Sequence, residues 1–251
     1  METHLNAAEI NQAMILAAGE GTRLKPLTLK TPKILLPLAN EPLLKHILTW
    51  LTRNGCSELA INLHHLPKDI KTYLENGSLF GLKRVYFSLE KTLLGTAGGV
   101  KQVEAFFTST FVVVYGDVVP MFNLDNMIRF HREREAIVTM ALVEMPKPWE
   151  VGIVEVDESG KVYSFIEKPT HKSMRGNLGN GGVYILEKEV LSHIPNGQNY
   201  DFGHDVFPEL LELKLPIYGY RIPAGENLID IGDFDRYQQA KEDIATGKIL
   251  F

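Results

Sequence analysis

Fifteen residues, Gly19 to Lys33, hold the densest chemistry of the chain. Gly19-Glu-Gly-Thr-Arg23 opens the stretch, and Arg23, Lys25, Lys30 and Lys33 stand against one acid, Glu20. The stretch carries +3 in a 251-residue chain of net charge −5, so the other 236 residues carry −8. Glycines let backbone N–H groups approach a phosphate closely, and consecutive N–H groups form an anion-binding nest. A basic segment on a glycine turn in an acidic protein points to a local anion site. Pro26 and Pro32 stiffen it, since each ring restricts φ. Two familiar phosphate patterns fail on spacing. A dinucleotide fold requires a third glycine where Leu24 stands, and no Gly-Lys-Ser/Thr tripeptide occurs. A plain strand-to-helix turn and a solvated basic loop remain open readings.

Other signals are weaker. Asp201-Phe-Gly203 matches a kinase tripeptide without the other kinase elements, which favours a structural turn. His64-His65 lacks further ligands at metal-binding spacing, so both read as loop or wall residues. Cys56, the one cysteine, follows Gly55 in an apolar context and reads as packing. One cysteine and no signal-peptide pattern fit a reducing cytoplasm. The longest strongly apolar run, Phe111 to Tyr115, is far short of the roughly 20 residues a bilayer span needs, so no membrane is expected. The acidic balance argues against nucleic acid as a partner. A hydrophobic fraction of 45% with 23% charged residues excludes a disordered chain.

These residues need a scaffold. Ala13 to Ala18 is apolar on both faces and ends in the glycine turn, as suits a central parallel strand. Leu43, Leu44, Ile47, Leu48 and Leu51 have helical spacing, stopped by Asn54-Gly55. Strands over 59–63, 85–89 and 111–115 alternate with helices over 69–74 and 99–107, predicting βαβ units through residue 135. The pattern then turns mixed. Strands are expected over 136–143, 151–156, 162–167 and 182–186, and helices over 205–213 and 234–245. Residues 1–12 read as an N-terminal extension. Residues 13–251 read as one domain whose two halves, 13–135 and 136–251, share one sheet.

A resemblance sharpens the reading. Leu16-Ala-Ala-Gly-Glu-Gly-Thr-Arg-Leu24 and Thr31-Pro-Lys33 closely resemble the signature of the sugar-1-phosphate nucleotidyltransferases, and of its mannose-1-phosphate guanylyltransferases in particular. Gly95-Thr-Ala-Gly-Gly99, Tyr115-Gly-Asp117, Phe165-Ile-Glu-Lys-Pro169, Asn180-Gly-Gly-Val-Tyr184 and Asp230-Ile-Gly232 follow in that family's order. The resemblance implies a Rossmann-like three-layer α/β sandwich with a mixed, mostly parallel sheet. It also implies a reaction in which a sugar 1-phosphate oxygen attacks the α-phosphorus of an NTP and pyrophosphate leaves. Two like charges about 4 Å apart cost roughly 4 kcal/mol at a surface-like dielectric, so charge neutralisation is the main task.

By the same resemblance, Leu16, Ala17, Ala18, Gly19, Gly21 and Thr22 would cradle the triphosphate. Arg23 and Lys33 would neutralise it. Gly95, Thr96, Ala97 and Gly98 would floor the base and ribose. Asp117 and Asp230 would hold Mg²⁺, and Asp117 would complete the catalytic set with Arg23 and Lys33. Gly116, Gly152, Glu167, Lys168 and Asn180 would receive the sugar phosphate. The family often has Pro, Asn and an aromatic residue where this chain has Ile34, Tyr115 and Leu228. GTP with mannose 1-phosphate is the expected pair. Glucose 1-phosphate with dTTP or UTP, heptose 1-phosphate with GTP, and an amino-sugar phosphate are rivals. A non-catalytic sugar-nucleotide sensor is the rival of another class. No hexapeptide repeat follows, so the β-helical module of many relatives is not expected. The apolar segments of the second half suit a homo-oligomer interface as well as they suit core.

Overall fold

A computed structural model describes residues 10–145, 151–169 and 176–249. The first half runs β1 (Gln12–Leu16), β2 (Pro37–Leu38), β3 (Glu41–Pro42), α1 (Leu43–Arg53), β4 (Glu58–Leu63), α2 (Pro67–Asn76), β5 (Arg84–Leu89) and α3 (Gly95–Lys101). It continues with β6 (Phe111–Tyr115), β7 (Val118–Met121) and α4 (Leu124–Glu133). The second half adds β8 (Val138–Glu144), β9 (Ile153–Val156), β10 (Val162–Ile166), β11 (Leu178–Leu186), α5 (Phe207–Glu212), β12 (Ile217–Arg221), β13 (Asn227–Asp230) and α6 (Phe234–Ala245).

Among the described residues, one nine-stranded sheet joins the halves. β5, β4, β1 and β6 lie parallel in that order, and β11 pairs antiparallel with β6. β8 lies antiparallel to β11, and β12 parallel to β8. The doubly apolar runs explain this centre. In β1, Ala13 and Ile15 pack with α1 and α2 on one face, while Met14 packs with α3 and α5 on the other. β4 and β6 alternate in the same way, giving the expected three layers. A third, smaller core joins Leu24, Leu36, Val119, Ile229, Ile231 and Tyr237 under a separate two-stranded ribbon, β7–β13.

Several boundaries move. β1 begins at Gln12, one residue inside the expected extension, and Ile10 is core. Gln12 is tolerated because its amide donates to the Phe106 carbonyl at 2.9 Å and accepts from the Thr108 N–H at 2.8 Å. Residues 1–9 of that extension lie outside the described residues. The helix expected over 99–107 starts at Gly95 and ends at Lys101. The helix expected from 205 is α5, preceded by one π-helical turn over Phe202–Val206. Six labelled elements were not expected: β2, β3, β7, α4, β12 and β13.

Candidate active site

Two adjoining clefts of about 440 and 340 Å³ open beyond the carboxyl ends of β1 and β6. Arg23, Thr96, Tyr115, Asp117 and Asp201 border both. Open α/β sheets place ligands at this end of their parallel strands.

The first cleft gathers Leu16, Ala17, Ala18, Gly19, Gly21, Thr22, Arg23 and Lys33 with Gly95, Thr96, Gly116 and Asp117. Its glycines differ in what requires them. Gly21 has φ +63°, and an added Cβ would lie 2.8 Å from Thr28 Cγ2, so the turn itself demands glycine. A Cβ at Gly19 would meet nothing within 4 Å. There the missing side chain leaves space for a ligand. A Cβ at Gly116 would strike the Leu16 carbonyl at 2.6 Å, so this glycine serves close strand approach. Gly116 borders the first cleft and not the second, away from its expected sugar role. Ala97 and Gly98 are fully buried and line neither cleft. A Cβ at Gly98 would lie 2.5 Å from the Gln198 carbonyl, so chain packing explains that glycine.

A brace that the motifs did not reveal supports this cleft. Asn62, at the end of β4, accepts from the Ala17 N–H at 2.7 Å and donates to Glu90 at 2.7 Å. Glu90 accepts from the Leu94 N–H at 3.0 Å through its other oxygen. One buried amide–carboxylate pair thus ties the glycine turn to the N-terminus of α3. Its sequence signal is weak: one polar residue just inside the end of β4 and one just past the end of β5. His64 bonds the Glu90 carbonyl and His65 the Thr28 carbonyl, each at 2.9 Å, as wall residues. Burial pushes the Cys56 thiol up to about 12, which suits a packing role.

The two aspartates meet on the β7–β13 ribbon. Asp230 pairs in register with Val118, and the Ile231 N–H donates to the Asp117 carbonyl at 2.9 Å. Lys33 Nζ lies 2.6 Å from Asp117 Oδ2. Asp230 is held by Arg236 and by the Gly232 N–H, and Arg236 also reaches Asp233 at 3.3 Å. Burial, and then the nearby Asp117 charge, push the Asp230 carboxyl above the usual range against the pull of Arg236. A Cβ at Gly232 would lie 3.3 Å from Arg23 Nη2, so the guanidinium from the early loop reaches over the ribbon. Arg23 itself is exposed and makes no hydrogen bond or ion pair among the described residues.

The second cleft gathers Gly152, Glu167, Lys168 and Asn180 with Asp230. Asn180 donates to the Tyr184 hydroxyl at 2.6 Å, which orients its amide. Glu167 is raised by burial first, with Lys168 opposing and Asp201 adding to the rise. Lys168 stands at the rim, 3.9 Å from Glu167 and largely exposed. Asp201, expected in a mere structural turn, borders both clefts and accepts from the Thr96 hydroxyl at 2.7 Å.

This arrangement defines an α/β protein in which paired acids face a basic, glycine-rich loop. The chain belongs to the nucleotidyl transferase family, whose model matches residues 12–247. It is 35% identical over 252 residues to the UTP–glucose-1-phosphate uridylyltransferase of Synechocystis sp., covering 95% of this chain and 64% of that protein. It is 35% identical over 210 residues to the mannose-1-phosphate guanylyltransferase of Mycobacterium tuberculosis, covering 83% and 58% respectively. The chain therefore spans roughly three fifths of the length of these relatives. Among solved structures, a UDP-glucose pyrophosphorylase complexed with UDP-glucose superposes with TM-score 0.82 at 20% identity, covering 95% of this chain and 99% of that one. HddC from Yersinia pseudotuberculosis gives 0.78 at 24% identity, covering 94% and 100%. Both likenesses establish the fold.

Proposed function

We propose that this chain transfers a nucleoside monophosphate from an NTP to a sugar 1-phosphate, releasing pyrophosphate. The observation that carries the reading is the Asp117–Asp230 pair facing Lys33 and Arg23. Two neighbouring, partly buried carboxylates, with Asp230 raised by burial and then by the Asp117 charge, fit a divalent cation, which lowers the repulsion between them. Mg²⁺ suits an all-oxygen pair completed by substrate phosphates, and when bound it supplies charge neutralisation at the reacting phosphates.

The chain's own groups do the rest. The 16–22 backbone holds the triphosphate, with the space at Gly19 admitting it. Arg23 offers a planar fork to two phosphate oxygens and favours pyrophosphate departure. Lys33 exchanges its Asp117 partner for a substrate phosphate. The sugar phosphate is already an anion, so no protein nucleophile is needed; Lys168 draws it in, and Glu167 and Asn180 accept or donate to its hydroxyls. Alignment and charge screening then supply the acceleration. No helix among the described residues is long and apolar enough to cross a membrane. A single buried cysteine suits a reducing cytoplasm.

GTP is the favoured nucleotide. Glu90 is 3% exposed and lines the first cleft. Each of its oxygens accepts one internal bond and retains a second lone pair. Guanine presents adjacent N–H donors to such a carboxylate, whereas uracil flanks its one donor with carbonyls. Mannose 1-phosphate is the matching sugar, as in the M. tuberculosis relative's name. The name of the Synechocystis relative, aligned over 95% of this chain, favours UTP with glucose 1-phosphate as the second reading. A pyrophosphate-release assay over four NTPs and a panel of sugar 1-phosphates with Mg²⁺ tests both. Fastest turnover with GTP supports the first. Binding without turnover on every pair overturns the enzyme reading in favour of a sensor.

A further inference from the structure

The tripeptide Asp201-Phe-Gly203 lies where the two clefts meet. The segment leading into it comes from the second half and crosses the start of α3 in the first. The Tyr200 carbonyl accepts from the Ala97 and Gly98 N–H groups at 3.0 Å each, and the Tyr200 N–H donates to the Leu94 carbonyl at 2.9 Å. A Cβ at Gly95 would lie 2.4 Å from that Tyr200 carbonyl, so the crossing demands glycine there. Asp201 continues the attachment. One carboxylate oxygen takes the Thr96 hydroxyl at 2.7 Å, and the other takes the Gly203 N–H at 2.9 Å. Thr96 accepts in return from the Phe202 N–H at 2.9 Å.

Gly203 then touches the sugar side. A Cβ added there would lie 2.6 Å from Glu167 Oε2 and 3.2 Å from Glu167 Cδ. From the other side, a Cβ at Gly152 would lie 2.8 Å from the same oxygen. The Glu167 carboxylate therefore occupies a slot between two glycines, and one wall of that slot is anchored to Thr96 on the nucleotide floor.

The geometry points to Asp201 and Gly203 as positioning residues: they set the Glu167 carboxylate for the sugar 1-phosphate and tie that setting to the floor of the nucleotide cleft. This rests on the proposed transferase reading and deepens it. Neither residue needs to touch substrate. The effect is steric, because the atom a new methyl would meet is the far end of a flexible side chain. Gly203→Ala can fold by moving that carboxylate, and the cost falls on recognition rather than on stability.

The test measures binding of mannose 1-phosphate and of glucose 1-phosphate by calorimetry, with Mg²⁺ and a non-hydrolysable GTP analogue present, alongside steady-state kinetics. Gly203→Ala is expected to weaken the better sugar phosphate about tenfold and leave nucleotide affinity within about twofold, since misplacements of an ångström are costly in a preorganised site. In a Glu167→Asp background, whose carboxylate is one methylene shorter and clears the slot, the same Gly203→Ala change is expected to cost almost nothing further. Asp201→Ala, which frees the anchor, is expected to weaken both ligands. A neutral Gly203→Ala, an equal loss for sugar and nucleotide, or additive losses in the Glu167→Asp background would each overturn the positioning role while the transferase reading stands. Failure of the wild type to bind either sugar phosphate would overturn both. An unfolded Gly203→Ala, seen by circular dichroism, would overturn the claim that the slot yields cheaply, and the Glu167→Asp double variant would show whether relieving the contact restores folding.

Discussion

The two clefts share a border but are built differently. The first is a backbone site. Its glycine turn and its α3 N-terminus are both tied to one buried pair, Asn62 and Glu90, and its free cation Arg23 comes from a loop stiffened by prolines. The second is a side-chain site. Glu167 depends on two glycines for its slot, and Asn180 depends on the Tyr184 hydroxyl for its direction. Backbone geometry suits the part common to every NTP, the triphosphate. Side chains in slots suit the part that varies, the sugar. The β7–β13 ribbon stands between them and supplies the paired acids.

The ribbon gives the largest expected effect. Asp117→Asn should lower turnover about 10³-fold, because the charge facing the reacting phosphates is lost where water is scarce. Its thermal midpoint should stay close to the wild type. Asp230→Asn should be comparably slow, yet its thermal midpoint at pH 7 should rise. The folded carboxyl is raised above its unfolded value, so the stability it contributes is present in acid and lost as pH rises through the folded pKa. An amide removes that penalty and still accepts from Gly232. Mg²⁺ should raise the midpoint of the wild type and of neither variant. Near-normal rates for either variant would remove the acids from the mechanism and leave the clefts as binding surfaces only.

Next comes the brace. Glu90→Ala leaves the Leu94 N–H and one Asn62 N–H without partners in a buried place, which costs about 2–4 kcal/mol. If the first cleft is a backbone site, the loss should appear as a KM for NTP about tenfold higher, with the sugar KM little changed. Equal changes in both would erase the contrast between the clefts.

How legible this was in the sequence follows the same division. The first half was readable because central parallel strands are apolar on both faces, and Phe111–Tyr115 appeared at its observed bounds. The glycine turn's place on the cleft was readable because glycines and cations cluster there. The Asn62–Glu90 brace was not, since a hydrogen bond between residues 28 apart leaves no spacing pattern. β7 and β13 were missed for a related reason: each has four residues and splits its apolar side chains between the main core (Val118, Leu228) and a small separate one (Val119, Ile229). The family resemblance gives Gly98 to the floor under the base and ribose. Only the position of the Gln198 carbonyl shows that the protein's own chain fills the space. Asp201 reads as part of a structural turn because its tripeptide lacks the other kinase elements; its bond to Thr96, 105 residues earlier, leaves no pattern in the sequence.

The smallest expected effect separates the halves by their response to acid. His131, on α4, is 2% exposed; it bonds Thr139 of β8 at 2.8 Å and Glu187, which follows β11, at 3.3 Å. Burial holds its imidazole below the usual range, more than Glu187 raises it. The unfolded chain therefore takes up a proton near pH 6.5 while the folded chain does not. Stability from this group is full above that pH and declines as pH falls toward the lowered folded value. The strain falls on β8 and β11, which carry the second cleft, and not on β1 and β4 beneath the first. Amide exchange between pH 7 and pH 5.5, corrected for its intrinsic pH dependence, should therefore show β8 and β11 losing protection before β1 and β4. His131→Gln should flatten the difference, because an amide can meet Thr139 without titrating. Uniform loss across the sheet would mean that the halves open as one unit, and the contrast between the clefts would then be one of recognition alone.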